Sequence, residues 1–264
     1  ASEPALVPRD DATLSPGTDR ERGRYDGDTA IKLYLREIGQ VKLLTPDEIS
    51  VTFLKRLVKK ELSRPIKDVI VSSVVPFVDE SLKAAVSEYF RKEAIFIDYS
   101  TDSGLIFNVD CPSELGADRI ADAAGALAFY EPPFIIIDSG TAITFDVISK
   151  DCEYLGGSIM PGIELSIHSL AEKTAKLERI HFSIPKSILS TNTEDHIRAG
   201  IFYSCVGGLT YMIKEYKKIV GQDAKVIATG GLSKYFEGRI EGIDRFEPDL
   251  IYYGLKRIYD RIKK

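Results

Sequence analysis

From residue 65 onward, short and strongly apolar runs alternate with longer stretches of helical spacing. That alternation restricts the chain to an α/β fold with a largely parallel or mixed sheet. After Pro65, the run Val69-Ile70-Val71 with Val74-Val75 predicts a buried strand that leaves through small serines, and residues 82–91 predict the helix behind it. The series continues with a strand over 94–97, a small-residue helix over 117–128 and a very apolar strand over 134–138. Residues 141–149 alternate as a hairpin partner would, with Lys150-Asp151 supplying the turn. Helices over 162–176 and 194–219, a strand over 225–229 and a closing helix near 250–263 complete the pattern.

The front of the chain reads differently. Its first 29 residues are rich in Asp, Arg, Pro, Gly and Ser and lack apolar periodicity, so a mobile or loosely attached arm is expected. Ile31, Leu33, Tyr34, Leu35 and Ile38 then recur at helical spacing before Gly39 supplies a stop. Thr45-Pro46-Asp47-Glu48 reads as an N-cap, a proline in the first turn and two acids near the positive end of a helix that would run through Phe53, Leu54, Leu57 and Val58 towards Leu62.

With 264 residues and 44% hydrophobic content, the chain can bury a substantial core in one large domain or two modest ones. Apolar runs such as 134–137 are far shorter than the roughly 20 residues of a membrane span, and no charged-then-apolar leader opens the sequence, so a soluble, cytoplasmic protein is expected. Cys111, Cys152 and Cys205 are scattered, odd in number and without histidine at zinc-ligand spacing, which predicts reduced structural thiols. A net charge of −5 argues against nucleic-acid binding as the main task of the folded body.

Several strand ends carry residues suited to anions and cations. Asp138-Ser139-Gly140-Thr141-Ala142 puts a carboxylate, a tight glycine turn and a hydroxyl at one strand end. Backbone N–H groups near Gly140 can approach an anion, Thr141 can donate to a phosphate oxygen and Asp138 can hold a cation; an ordinary hairpin turn with a capping Asp explains the same residues equally well. Thr229-Gly230-Gly231-Leu232 offers a second such turn after a strand and before a helix-like segment. Gly116-Ala117-Asp118-Arg119 opens the small-residue helix, with Asp118 a candidate general base and Arg119 a candidate clamp on a substrate carboxylate, or else a capping Asp beside a solvated Arg. Gly156-Gly157-Ser158-Ile159-Met160-Pro161-Gly162 reads as a glycine-dense strand exit, either a tight structural turn or a cleft wall. Asn192-Thr193 suits an N-cap, and His168, His181 and His196 read as structural or surface residues.

Taken in order, Val71-Ser72-Ser73-Val74-Val75-Pro76, Gly116-Ala117-Asp118-Arg119, Asp138-Ser139-Gly140-Thr141-Ala142, the 156–162 block, Thr174-Ala175-Lys176-Leu177, Asn192-Thr193 and Ala228-Thr229-Gly230-Gly231-Leu232 resemble the blocks of type III pantothenate kinases from about residue 45 to 264. The resemblance implies the two-lobe fold of the acetate and sugar kinase/Hsp70/actin (ribonuclease H-like) superfamily. It also implies ATP-dependent phosphorylation of pantothenate to 4'-phosphopantothenate, the first step of coenzyme A biosynthesis. Under it, Asp118 is the proton acceptor, and Gly116, Ala117, Asp118, Arg119 and Thr193 touch substrate. Gly140, Thr141, Gly230 and Gly231 meet ATP, and Asp138 ligates a monovalent cation. ATP with Mg2+, K+ or NH4+, and a homodimer, are the implied cofactors and assembly. The implied division is an arm over 1–49, the remainder of an amino-terminal lobe over 50–119, a carboxy-terminal lobe over 120–245 and a closing helix over 246–264.

The family's opening strand and its Asp-Val-Gly-Asn-Thr type loop find no counterpart. Arg9-Asp10-Asp11-Ala12-Thr13 and Asp26-Gly27-Asp28-Thr29-Ala30 lack a preceding apolar strand. An incomplete amino-terminal lobe with an exposed sheet edge, and a weakened grip on ATP phosphates, are the expected consequences. Residues 26–49, including Asp28-Thr29-Ala30-Ile31-Lys32-Leu33-Tyr34-Leu35-Arg36-Glu37-Ile38-Gly39, instead resemble region one of sigma-70-type primary sigma factors. The alternative function is therefore a catalytically impaired kinase-like scaffold whose front contacts RNA polymerase or nucleic acid.

Overall fold

The computed structural model describes residues 66–173 and 180–264. The expected arm, the helices before residue 62, the sigma-like segment and the Thr174-Ala175-Lys176-Leu177 block lie outside these residues.

The centre of the molecule is a six-stranded mixed sheet in the order β3-β6-β5-β4-β7-β8. Its strands are β3 (Ile106–Phe107), β4 (Phe134–Ser139), β5 (Ala142–Ile148), β6 (Glu153–Pro161), β7 (Lys225–Thr229) and β8 (Arg245–Phe246). β4, β5 and β6 form an antiparallel meander, while β4, β7 and β8 run parallel. A separate parallel pair, β1 (Val69–Val71) and β2 (Ala94–Phe96), is crossed over by helix α1 (Pro76–Phe90). The remaining helices are α2 (Ala117–Phe129), α3 (Ile163–Lys173), α4 (Thr193–Val220) and α5 (Leu250–Ile262).

β4 is apolar from Phe134 to Ile137 because both faces of the sheet are covered. Successive side chains point to opposite faces. Ile135 and Ile137 join Ile143, Phe145, Ile163, Ile167, Phe202 and Leu209 in a core against α3 and α4. Phe134 and Ile136 join Ile148, Tyr154, Ile227, Ala123, Ala126 and Leu250 in a second core against α2 and α5. Burying each such Phe or Ile contributes about 1.5–3 kcal/mol, which is what holds the helices to the sheet. A third cluster, Val69, Val71, Val78, Leu82, Ala85 and Val86, lies under α1.

α2 is rich in alanine because α5 crosses it closely. A Cβ at Gly125 would lie 3.1 Å from the Gly254 nitrogen, and one at Gly254 would lie 3.0 Å from the Gly125 nitrogen and deep inside van der Waals contact of the Ala121 carbonyl. Ile120, Ala121 and Ala124 meet Leu255 and Ile258 along this crossing. The far end of α5 is fastened to the β1–β2 side: Tyr259 donates to Asp68 at 2.6 Å and Arg261 to Asp102 at 2.7 Å.

The expected α/β class and mixed sheet are present, and four local readings are corrected. Val74-Val75 is not strand: β1 stops at Val71, and Pro76, acceptable in a helix's first turn, starts α1 earlier than residue 82. The 156–162 block does leave a strand for a helix, at Pro161-Gly162, but Gly156 and Gly157 lie within β6 rather than in a turn; a Cβ at Gly157 would strike the Phe145 carbonyl on β5. The helix-like segment expected after Gly231 is a single 3-10 turn, Ser233–Tyr235. β3 and β8, two residues each, were not anticipated.

Candidate active site

Strand register decides which side chains meet α2. Asp138 continues the face of Phe134 and Ile136 at the end of β4. Asp146 on β5 pairs directly with Ile136, so it stands on that same face, and Tyr154 on β6 pairs with Ile148 beside it. α2 covers this face, and Asp118 and Asp122 lie one turn apart on it. Four carboxyls and one guanidinium, that of Arg119, therefore share one region.

Their electrostatics follow from crowding and burial. Asp122 is buried and its carboxyl is pushed well above the ordinary carboxylate range, first by desolvation and then by the charges of Asp138, Asp118 and Asp146. Its Oδ1 has no hydrogen-bond partner. Asp138 is raised to about 7 by desolvation, with repulsion from Asp118 and Asp146 adding to it. Asp146 is raised to about 6: desolvation dominates, partly offset by Arg119 and by the hydroxyl of Tyr154. Asp118 is raised by burial, against the lowering influence of the Arg119 backbone N–H, which donates to Oδ1 at 2.8 Å, and of the Arg119 charge.

Arg119 is not a solvated cap, since its side chain is 17% exposed and its Nε donates to Asp146 Oδ1 at 2.7 Å. Gly116 is the residue preceding α2, and a Cβ there would press on Asp118 Oδ1 at 2.5 Å and on Val74 Cγ1 at 3.5 Å, which brings the exit of β1 beside Asp118. Ala117 is buried in the α2–α5 core.

The two glycine-bearing turns meet. Asp138 pairs with Thr229 in parallel register, and the Leu232 N–H donates to the Ser139 carbonyl at 2.9 Å. Gly230 has φ +87, and a Cβ on it would fall 2.6 Å from the Ser139 carbonyl oxygen and deeper still into Asp138 Oδ1. Gly140 donates to the Ala142 carbonyl, and the Thr141 carbonyl accepts from Gly162 at 2.9 Å, leaving the Thr141 side chain exposed at the turn. Gly231 is exposed beside them.

Thr193 is not part of this cluster in the same sense. It is exposed in the first turn of α4, after the N-cap Asn192, whose Oδ1 accepts from the Asp195 N–H at 2.9 Å, and next to the Glu194–Arg198 ion pair. His196 bonds the Ser190 carbonyl at 2.8 Å, and His168 and His181 are exposed. The three cysteines are free thiols, with burial pushing Cys205 up to about 12.

Asp122, Asp146 and Tyr154 were missed by sequence reasoning. The available signals were an Asp four residues after Asp118 in a run of Ala, Gly and Ile, and an Asp inside the otherwise apolar β5.

The oxygens packed against Gly230, the Asp138 carboxyl and the Ser139 carbonyl, are hard donors that come close because residue 230 has no side chain. Oxygens of this kind are the ligand type that hard cations take. Among the described residues no group of three or more His, Cys, Asp or Glu could hold a metal ion by itself, so a cation here needs phosphate or water oxygens as well. No helix among these residues is long and apolar enough to cross a membrane.

The chain is similar to known proteins. A family model for type III pantothenate kinase matches residues 20–215, beginning before the resemblance that starts near residue 45 and running across residues 26–49, for which nothing supports the sigma-factor likeness. The type III pantothenate kinase of Bifidobacterium adolescentis is 38% identical over 196 residues, covering 74% of this chain and 77% of that protein. That of Paramagnetospirillum magneticum is 37% identical over 239 residues, covering 90% and 91%. The crystal structure of a protein described as a Baf family transcriptional activator from Campylobacter jejuni superposes with a TM-score of 0.52 at 23% identity, covering 75% of this chain and 84% of that one, a likeness of fold alone. With the mixed sheet and the ordered strand-end blocks, these matches make the chain a member of the type III pantothenate kinase family, in the acetate and sugar kinase/Hsp70/actin fold.

Proposed function

We propose that the chain transfers the γ-phosphoryl group of ATP to the hydroxyl of pantothenate, giving 4'-phosphopantothenate, and that Asp118 is the proton acceptor. The observation that carries this reading is the placement of Asp118 in the first turn of α2, the helix that covers the sheet face on which Asp138 ends β4. Asp138 in turn lies against Gly230 in the second glycine turn. On this reading a base faces two turns whose glycines let backbone N–H groups approach phosphate.

Phosphoryl transfer asks for positioning and charge neutralisation more than covalent help. The substrate hydroxyl loses its proton to Asp118 as its oxygen attacks the γ-phosphorus, and the bond to the ADP oxygen breaks with its electron pair leaving on ADP. Burial suits Asp118 to this task, because a raised carboxyl binds the proton more readily than an exposed one. Gly116 and Ala117 line the pantothenate site, Arg119 takes the substrate carboxylate, and Thr193 contributes from the start of α4. Gly140, Thr141, Gly230 and Gly231 contact ATP. Asp138 holds a monovalent cation, K+ or NH4+; with Mg2+ on the phosphates, bound cations would neutralise charge on the transferring group. A cytoplasmic homodimer, with lobes divided near residues 49, 119 and 245, completes the proposal.

The test is to purify the chain and follow ADP release with pantothenate, ATP, Mg2+ and K+. Turnover that Asp118→Asn abolishes supports the reading; no turnover, or turnover untouched by that substitution, refutes it.

A further inference from the structure

Arg119 is tethered more elaborately than a substrate-binding arginine at a helix start requires. Its Nε donates to Asp146 Oδ1 at 2.7 Å and its Nη2 to the Phe145 carbonyl at 3.0 Å, so two of its three nitrogens are used on two adjacent residues of β5. Asp146 is fully buried and held from two further sides. The Tyr154 hydroxyl donates to the same Oδ1, and the Thr144 hydroxyl donates to Oδ2 at 3.3 Å. The guanidinium also lies over the Tyr154 ring, its carbon 5.9 Å from the centroid. A Cβ at Gly157 would come within 3.3 Å of Arg119 Nη2, so β6 leaves the space that the guanidinium occupies.

This tether has a physical purpose in so acidic a region. Asp118 also attracts the Arg119 charge, and a long arginine side chain loses considerable rotamer entropy when a ligand fixes it. A buried carboxylate that takes Nε and a carbonyl that takes one Nη2 hydrogen fix the plane of the fork in advance and leave Nη1 free to donate. Preorganisation of that kind lowers the cost of binding rather than the barrier to chemistry.

We propose that Asp146 and Tyr154 are positioning residues that aim Arg119 at the carboxylate of pantothenate, and so set the preference for a carboxylate-bearing substrate. The proposal rests on the assignment of Arg119 to that carboxylate. Steady-state kinetics of the full chain should be compared for wild type, Arg119→Lys, Asp146→Asn, Tyr154→Phe and the Arg119→Lys/Tyr154→Phe double variant. Each is measured with pantothenate and with panthenol, in which an alcohol replaces the carboxylate.

The expected result is a KM for pantothenate raised about tenfold or more by Asp146→Asn and several-fold by Tyr154→Phe, with kcat held within about threefold. Panthenol kinetics should stay within about twofold of wild type, and Tyr154→Phe should add nothing once Arg119 is lysine. Tyr154→Phe removes a single hydroxyl, so it reports even where Asp146→Asn fails to fold. Unchanged KM in both Asp146→Asn and Tyr154→Phe, or equal losses for pantothenate and panthenol, overturns the positioning role. Should Arg119→Lys itself leave the pantothenate KM unchanged, it is the underlying assignment of Arg119 that fails.

Discussion

Asp138 Oδ1 fills the space in which a side chain at Gly230 would begin, so the carboxylate at the end of β4 and the turn after β7 are packed as one unit. Gly230 also sits at φ +87, where L side chains are strained.

Gly230→Ala is therefore expected to displace Asp138 or open the turn. The predicted loss is about 1–3 kcal/mol of stability together with at least tenfold in kcat/KM for ATP. Thermal denaturation and ATP-dependence assays read the two effects separately, and an alanine variant with wild-type ATP kinetics would contradict the placement of ATP at this turn.

Asp118→Asn should lower kcat by roughly 10²–10⁴-fold, the range for removing a general base, with a much smaller change in the pantothenate KM. Because burial raises the Asp118 carboxyl, the acid limb of the kcat profile in the wild type should fall above the ordinary carboxylate value of 3.8. A profile flat down to pH 4 would remove Asp118 from the role.

Stability should depend on pH in a direction opposite to that of most carboxylates. Asp138 and Asp146 are raised from 3.8 to about 7 and about 6, so between those values the folded protein keeps protons that the unfolded chain has already released. The stability they contribute is complete below about 4 and is lost as pH rises through 6 and 7, at up to about 1.4 kcal/mol per pH unit for each group in its window. Urea titrations from pH 5 to 8 without substrates measure the slope.

Asp122 extends the same reasoning, since its carboxyl is raised well above 3.8 and its Oδ1 is unpartnered. Asp122→Asn removes the charge that the unfolded chain gains at neutral pH, so it should stabilise the protein by about 1–3 kcal/mol at pH 8 and change little near pH 4. Equal effects at both pH values would show that the carboxyl is not held neutral.

Gly254→Ala should cost about 2–4 kcal/mol, because its Cβ would collide with backbone on α2 rather than with a movable side chain. Thermal melts of the variant measure this, and a loss below 0.5 kcal/mol would mean that the two helices part at little expense.

Much of the fold was legible where both faces of an element are buried or where a turn residue has one use. β4 is apolar at every position from Phe134 to Ile137 because helices cover both its sides, and its Asp138 and Gly140 mark a strand end on inspection. β3 was not legible: two residues carry no periodicity, and Ile106 and Phe107 join the sheet by pairing with Glu153 and Tyr154, residues distant in sequence. β6 was misread because Gly156-Gly157 has the local signature of a bend, whereas glycine is required there by the approach of the Phe145 carbonyl from the neighbouring strand. In the site, Asp118 and Asp138 could be found from a helix start and a strand end. Asp146 could not, because only the pairing with Ile136 shows that it faces α2, and register is a tertiary fact.

The crossing of α2 by α5 ties the completion of this core to chain synthesis. A nascent polypeptide halted before Leu250 already contains Asp118, Arg119, Asp138 and the Gly230 turn, yet the alanine face of the helix bearing its base would be bare to water. Until the segment from 250 to 262 emerges and docks, such a ribosome-bound or prematurely terminated product would lack the surface on which that helix packs.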